Sequence, residues 1–146
     1  PRRQQRVYLM LDLQAVADRI STQTLTAQLA VSADAAQQVR TLPSMVVVPG
    51  RDKVVTQPLS QGAGARHRVA SEILVVTGVL RGNQVLGEDA RDQLKTLREP
   101  MLHQLINWLP GGADLEMYWQ GGQLLSLTSN ALFWVDAFKT EYWWTL

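Results

Sequence analysis

Ala131-Leu-Phe-Trp-Val-Asp-Ala-Phe-Lys-Thr-Glu-Tyr-Trp-Trp-Thr-Leu146 is long and aromatic for a β-strand, and the way it is buried decides the fold. With the period-two alternation of a strand, Phe133, Val135, Ala137 and Trp143 fall on one face, and Leu132, Trp134, Phe138, Tyr142 and Trp144 on the other. Both faces are largely apolar, so the strand has to be covered on both sides. The chain's own helices can provide one cover, and a second subunit is the natural source of the other. Just upstream lie Asp114-Leu-Glu-Met-Tyr-Trp-Gln120, a Gly121-Gly122 pair and Gln123-Leu-Leu-Ser-Leu127. Glycine tolerates the positive φ angles of a two-residue hairpin turn, so this spacing predicts a β-meander that turns at Gly121-Gly122.

Working outward, Ala90, Leu94, Leu97, Met101, Leu105 and Trp108 recur at steps of three and four, the apolar stripe of a helix. Glu88 and Asp89 open it, where negative charge complements the helix dipole. Pro100 removes one backbone donor within it, but the stripe keeps its phase, which favours one kinked helix over two abutting ones. Residues 69–80 read as a strand. Met45-Val-Val-Val48 is a short apolar run between Pro43 and Pro49-Gly50, the pattern of a doubly covered strand. From Gly50 to Arg68 the periodicity disappears, and Arg51, Lys53, Arg66, His67 and Arg68 accumulate among Gly50, Pro58, Gly62 and Gly64. A connection of this length is either a solvated loop or an arm that orders on a neighbour. Residues 7–20 read as an amphipathic helix, 25–31 as a short strand or frayed segment, and Ser32 as the N-cap of a helix over 33–40. The expected fold is therefore α+β: a mixed or antiparallel sheet of about five strands with helices mainly on one face, in a single domain over residues 1–146.

The totals exclude several classes of function. The chain has 146 residues, a formal net charge of +1 and no cysteine. No global field demands nucleic acid or membrane, and disulfide scaffolds, thiolate metal sites and cysteine nucleophiles are ruled out. No apolar run approaches the roughly 18 residues that span a bilayer. Asp12 and Gln14 interrupt the first apolar stretch too early for a signal-peptide core, so a soluble protein acting where it is made is expected.

Catalytic chemistry is hard to find. Neither His67 nor His103 has a second ligand at metal-binding spacing. Ser44, Ser60, Ser71, Ser126 and Ser129 lie in no nucleophile elbow, and Gly62-Ala-Gly64 lacks the rest of a dinucleotide or phosphate-loop fingerprint. Glu72 and Asp136 each interrupt an apolar strand. A paired-carboxylate site is one reading of them; a carboxylate paired with arginine or guarding a sheet edge is the simpler one. Trp119, Trp134, Trp143 and Trp144 suggest a stacking platform, but their neighbours are Leu, Val and Phe rather than basic residues, which favours core and subunit interface. No catalytic, cofactor-binding or metal-ligating residue is assigned, and no enzymatic activity is expected.

Six stretches together resemble the tail terminator (tail completion) proteins of tailed bacteriophages. They are Leu42-Pro-Ser-Met-Val-Val-Val-Pro49, the Gly- and Arg-rich loop after it, Val69 to Leu80, Leu105-Ile-Asn-Trp-Leu-Pro110, Gly121-Gly-Gln-Leu-Leu125 and Leu132-Phe-Trp-Val-Asp-Ala-Phe-Lys-Thr-Glu-Tyr-Trp-Trp144. The resemblance runs from about residue 43 to the C-terminus. It implies a subunit of a homo-hexameric ring at the head-proximal end of the virion tail, assembled in the host cytoplasm. Such a ring caps the tail tube protein, stops its polymerisation and docks a neck or head-completion protein. A sheath protein would be a further partner in a contractile tail, and DNA passes the channel only transiently. Arg51, Lys53, Arg66 and Arg68 are then candidates for contact with a neighbouring subunit or the tube, and Tyr142, Trp143 and Trp144 for subunit packing. The alternatives are another head-to-tail connector ring, and a small enzyme or ligand-binding module built on Asp136 and Glu72.

Overall fold

The computed structural model describes residues 11–55, 66–82 and 88–145. Five strands form one mixed sheet, β1 (Gln28–Leu29), β2 (Ser44–Val54), β3 (Arg66–Leu80), β4 (Tyr118–Leu127) and β5 (Ala131–Thr145), in the spatial order β1-β2-β3-β5-β4. The β1–β2 pair is parallel and the remaining pairs are antiparallel. Among the described residues three helices accompany them: α1 (Leu13–Ile20), α2 (Ala33–Ala36) and α3 (Glu88–Leu105). The first part of the helix expected over 7–20 lies outside the described residues.

Burial on both sides of β5 organises this arrangement. Phe138 packs with Met45, Val47, Ile73 and Val75 beneath α1 and α3, which contribute Val16, Ala17, Ile20, Met101 and Leu105. On the reverse face Phe133 and Val135 pack with Val46, Val48 and Val76 against Ala36 of α2. One short helix of the same chain thus supplies part of the second cover. A third cluster joins Ala90 and Leu94 of α3 to Val79, with Leu132 and Trp134 beside it.

Local chemistry fixes the helix ends. Asp12 and Ser32 cap α1 and α2, their side chains accepting from the amides of Ala15 and Ala35. The second helix stops at Ala36, shorter than the 33–40 expected, because the Gln37 amide already bonds the Asp34 carbonyl in a tighter turn. Helix α3 runs through Pro100 as one element. Pro100 and Thr96, whose carbonyl loses its helical donor, are both exposed, so water can satisfy that group. Asn107, at φ 65°, ends the helix in the left-handed conformation. Arg19 then fastens α1 to α3, with Nε 2.6 Å from the Gln104 carbonyl and its guanidinium 4.8 Å from the Trp108 ring.

Three expectations need correction. The stretch from Gly50 to Arg68 is not a structureless loop throughout: β2 continues to Val54, β3 begins at Arg66, and the Val55 amide bonds the Arg68 carbonyl at 2.8 Å. A register shift between Pro49 and Asp52 had broken the alternation in the sequence. Residues 56–65, including Pro58, Ser60, Gly62 and Gly64, lie outside the described residues. Likewise β2 is eleven residues rather than the four of Met45–Val48.

The third correction is that Gly121-Gly122 is not a turn. Both glycines lie inside β4, opposite Ala137 and Asp136, and the chain reverses instead at Thr128–Asn130, where Thr128 Oγ1 accepts from the Ala131 and Asn130 amides. Gln120 is the extra residue of a bulge between Trp119 and Gly121, and Gly121 takes φ 115° there. Gly122 is required for a different reason: a Cβ at that position would collide with Asp136 Oδ1 and the Trp134 indole nitrogen. The strand count still comes to about five because merging two expected strands into β4 offsets the appearance of β1. Gly122→Ala is expected to destabilise the fold by about 1–3 kcal/mol through overpacking, measured as a lower denaturation midpoint with unchanged m-value.

Candidate assembly surfaces and the clamps behind them

Asp136 is fully buried on the helix-covered face. Arg98 of α3 reaches it with two parallel hydrogen bonds, Nε to Oδ2 and Nη2 to Oδ1, both 2.8 Å. Trp119 and Trp134 donate their indole N–H groups to Oδ1 at 3.1 and 3.4 Å, and the Arg98 guanidinium lies 4.8 Å from the Trp134 ring centre. A carboxylate this deep is tolerable only when paired and bonded on both oxygens. The result ties α3, β4 and β5 together at one point. Asp136 is thus the arginine-paired carboxylate of the simpler reading. The sequence carried a signal for its partner, since Arg98 falls four residues after Leu94 and three before Met101, on the apolar side of the helix.

Glu72 does not join it. On β3 it lies opposite Lys139 of β5, whereas Asp136 lies opposite Val75, and an uninterrupted register puts these two pairs on opposite faces of the sheet. The carboxylate pair that an enzyme or ligand module would use is therefore split by the sheet itself. Glu72 instead lies across Gly50 and lines an open cleft of about 400 Å³ with Ala33, Gly121, Gly122 and Ala137.

The candidate contact residues gather at the far end of the sheet, where the paired ends of β2 and β3 form an arm that β5 flanks as far as Thr145 opposite Arg66. Arg51 and Lys53 are exposed on β2, as are the apolar Val54 and Val55. Arg66 lies opposite Thr145, and its side chain is outside the described residues. Arg68 is half-buried, ion-paired with Glu141 and 5.2 Å from the Trp143 ring. Trp144, also half-buried, packs on the other face with its ring 6.0 Å from His67. Tyr142 is buried within the single chain, and its hydroxyl donates to Asp52 Oδ2 at 3.2 Å while Ser71 Oγ donates to Oδ1 at 2.7 Å. Asp52 and Glu141 are the partners that sequence reading missed, because neither sits in a motif and both act across strands. His103 is exposed on α3, as its position off the stripe implies. Among the described residues no cluster of three His, Cys, Asp or Glu side chains could hold a metal ion.

The layered sheet thus carries exposed Arg51 and Lys53 at one end, and the carboxylates of Asp136 and Asp52 serve as internal clamps. The chain belongs to the phage tail terminator protein family, which matches residues 6–145, nearly its whole length. It is a structural component of the phage tail, associated with other tail proteins in the virion. No curated protein matches the chain. No helix among the described residues is long and apolar enough to cross a membrane.

Two measurements probe the clamps. Asp136→Ala strands the Arg98 charge beneath the helix layer and is expected to cost about 3–5 kcal/mol in chemical denaturation. Tyr142 has its pKa pushed from 10.0 up to about 12, first by burial and then by the adjacent Asp52 carboxylate and the hydrogen bond to it. Its neutral form is therefore favoured by folding. That contribution is complete below pH 10 and is lost as pH rises from 10 toward 12. Tyr142→Phe should remove the phenolate transition near 12 from an ultraviolet titration and flatten stability across that window.

Proposed function

We propose that this chain forms a homo-hexameric ring on the head-proximal end of the tail tube, where it ends tube polymerisation and offers a docking surface to the neck or head-completion protein. The observation that carries this reading is the β2–β3 arm. It is held by Asp52, which accepts from Ser71 and Tyr142, and carries the exposed side chains of Arg51, Lys53, Val54 and Val55. Family membership supplies the setting.

The action is steric. One face of the ring matches a disc of the tube and buries its exposed end. The other face has no surface complementary to a further disc, so a stack that would otherwise run on stops there. Arg51, Lys53, Arg66 and Arg68 contact a neighbouring subunit or the tube, with Trp143 and Trp144 packed at the arm's base. Tyr142 supports that packing from inside the chain. A net charge of +1 suits a channel that lets DNA pass without holding it. Assembly takes place in the host cytoplasm, a sheath protein is an added neighbour if the tail contracts, and no step requires catalysis or a cofactor.

Electron microscopy of lysates from a phage lacking this gene tests the reading. Overlong or ragged tails beside unattached filled heads are expected. Normal-length tails beside unattached heads would place the protein in the neck or head-completion ring instead, and normal infectious particles would remove the structural role. Arg51→Glu with Lys53→Glu should give a folded protein that complements this deletion at least tenfold less well, as counted by plaques.

A further inference from the structure

The sheet's two outer strands share an unusual lack of charge. In a chain where 18% of residues are charged, no charge occurs from residue 117 to 135 or from 21 to 33. The first stretch contains β4 and the second contains β1, and these are the opposite edges of the sheet. Edge strands are ordinarily guarded by charge, proline, shortness, bulges or a covering element, because their unpaired backbone groups and side chains invite another chain. Here β1 is short and β4 is bulged, which limits backbone pairing, yet each edge exposes large apolar side chains.

On β4, two register shifts put Trp119, Leu124 and Leu127 on one face, each opposite a residue of the helix-covered side of β5. Helix α3 lies over β3, so these side chains remain 41%, 50% and 49% exposed. At the other edge Leu29 is 45% and Val31 85% exposed. The β1 strand has only two residues, too few for a long ladder, so a contact there rests on side chains more than on backbone pairing.

The geometry points to a head-to-tail contact between copies of this chain, in which the uncharged β4 edge of one copy seats against the uncharged β1 edge of the next. Two features select a second copy as the occupant. The surfaces match in chemistry, both being apolar side chains among Gln, Ser and Thr. They also stand on opposite sides of one subunit, as a heterologous contact that closes a ring requires, whereas a two-fold dimer would use a single patch twice. The inference rests on the ring reading and adds which surfaces meet.

Leu124→Glu charges the β4 edge and Val31→Glu the β1 edge; Leu127→Glu and Leu29→Glu form a second pair on the same edges. Unchanged melting curves establish that a variant is folded. Sedimentation is then measured for the wild-type chain, each variant and equimolar mixtures, alone and with tail tubes from particles lacking the protein. The wild-type chain is expected to assemble, and each variant alone to remain a single 16.3 kDa chain. A mixture of one β4-edge and one β1-edge variant should give heterodimers and nothing larger, because only one intact pair of surfaces remains. Mixtures that stay monomeric, or variants that assemble like wild type, overturn the edge assignment and leave the ring reading standing. Variants that assemble but no longer bind tubes make the edges a tube contact and overturn it equally. A wild-type chain that is monomeric both alone and on tubes removes the ring and the edge contact together.

Discussion

Every other feature of this fold answers to one constraint, that β5 is apolar on both faces and flanked by strands on both edges. Phe138 looks toward α1 and α3, Phe133 and Val135 toward α2, and the strand pairs with β3 along its whole length and with β4 along most of it. A strand so enclosed has no room for an unpaired polar group. Asp136 is admitted because Arg98, Trp119 and Trp134 satisfy it, and that requirement in turn fixes where α3 crosses the sheet and where β4 must lie. Gly122 belongs to the same constraint, as the residue that lets β4 approach the clamp.

The parts of the fold legible in the sequence are those governed by periodicity over many residues. The two-faced burial of β5, the long helix through Pro100 and the Ser32 cap all follow from spacing or from local hydrogen bonding. The illegible parts arise where an inserted residue resets the alternation. In β4 the side chains sharing the helix-covered face are Trp119, Gly122, Leu124 and Leu127, at steps of three, two and three, so neither a strand nor a helix template fits. The same happens between Pro49 and Asp52, where a strand read as a loop.

The candidate surfaces were legible in part. Basic residues without periodicity marked the arm, though not that its base is a hairpin clamped by Asp52. Glu72 and Asp136 stood out equally as carboxylates in apolar strands, yet only the β3–β5 register separates them onto two faces. The uncharged character of the edge stretches is plain in the sequence. Its meaning depends on the strand order, since the same composition in a central strand would signify only burial. Membership of the tail terminator family then supplies the biological setting, a protein associated with other tail components.

The unbroken β3–β5 register has a mechanical consequence. All fifteen pairs, from Arg66 opposite Thr145 to Leu80 opposite Ala131, run without a bulge, and the β3 side of the arm is itself part of this ladder. A pull along the arm therefore loads these pairs in shear, so that many hydrogen bonds share the tension at once. The same pull across the strand direction would open them one at a time, like a zip. The arm is a stiff handle along one axis and a compliant one across it.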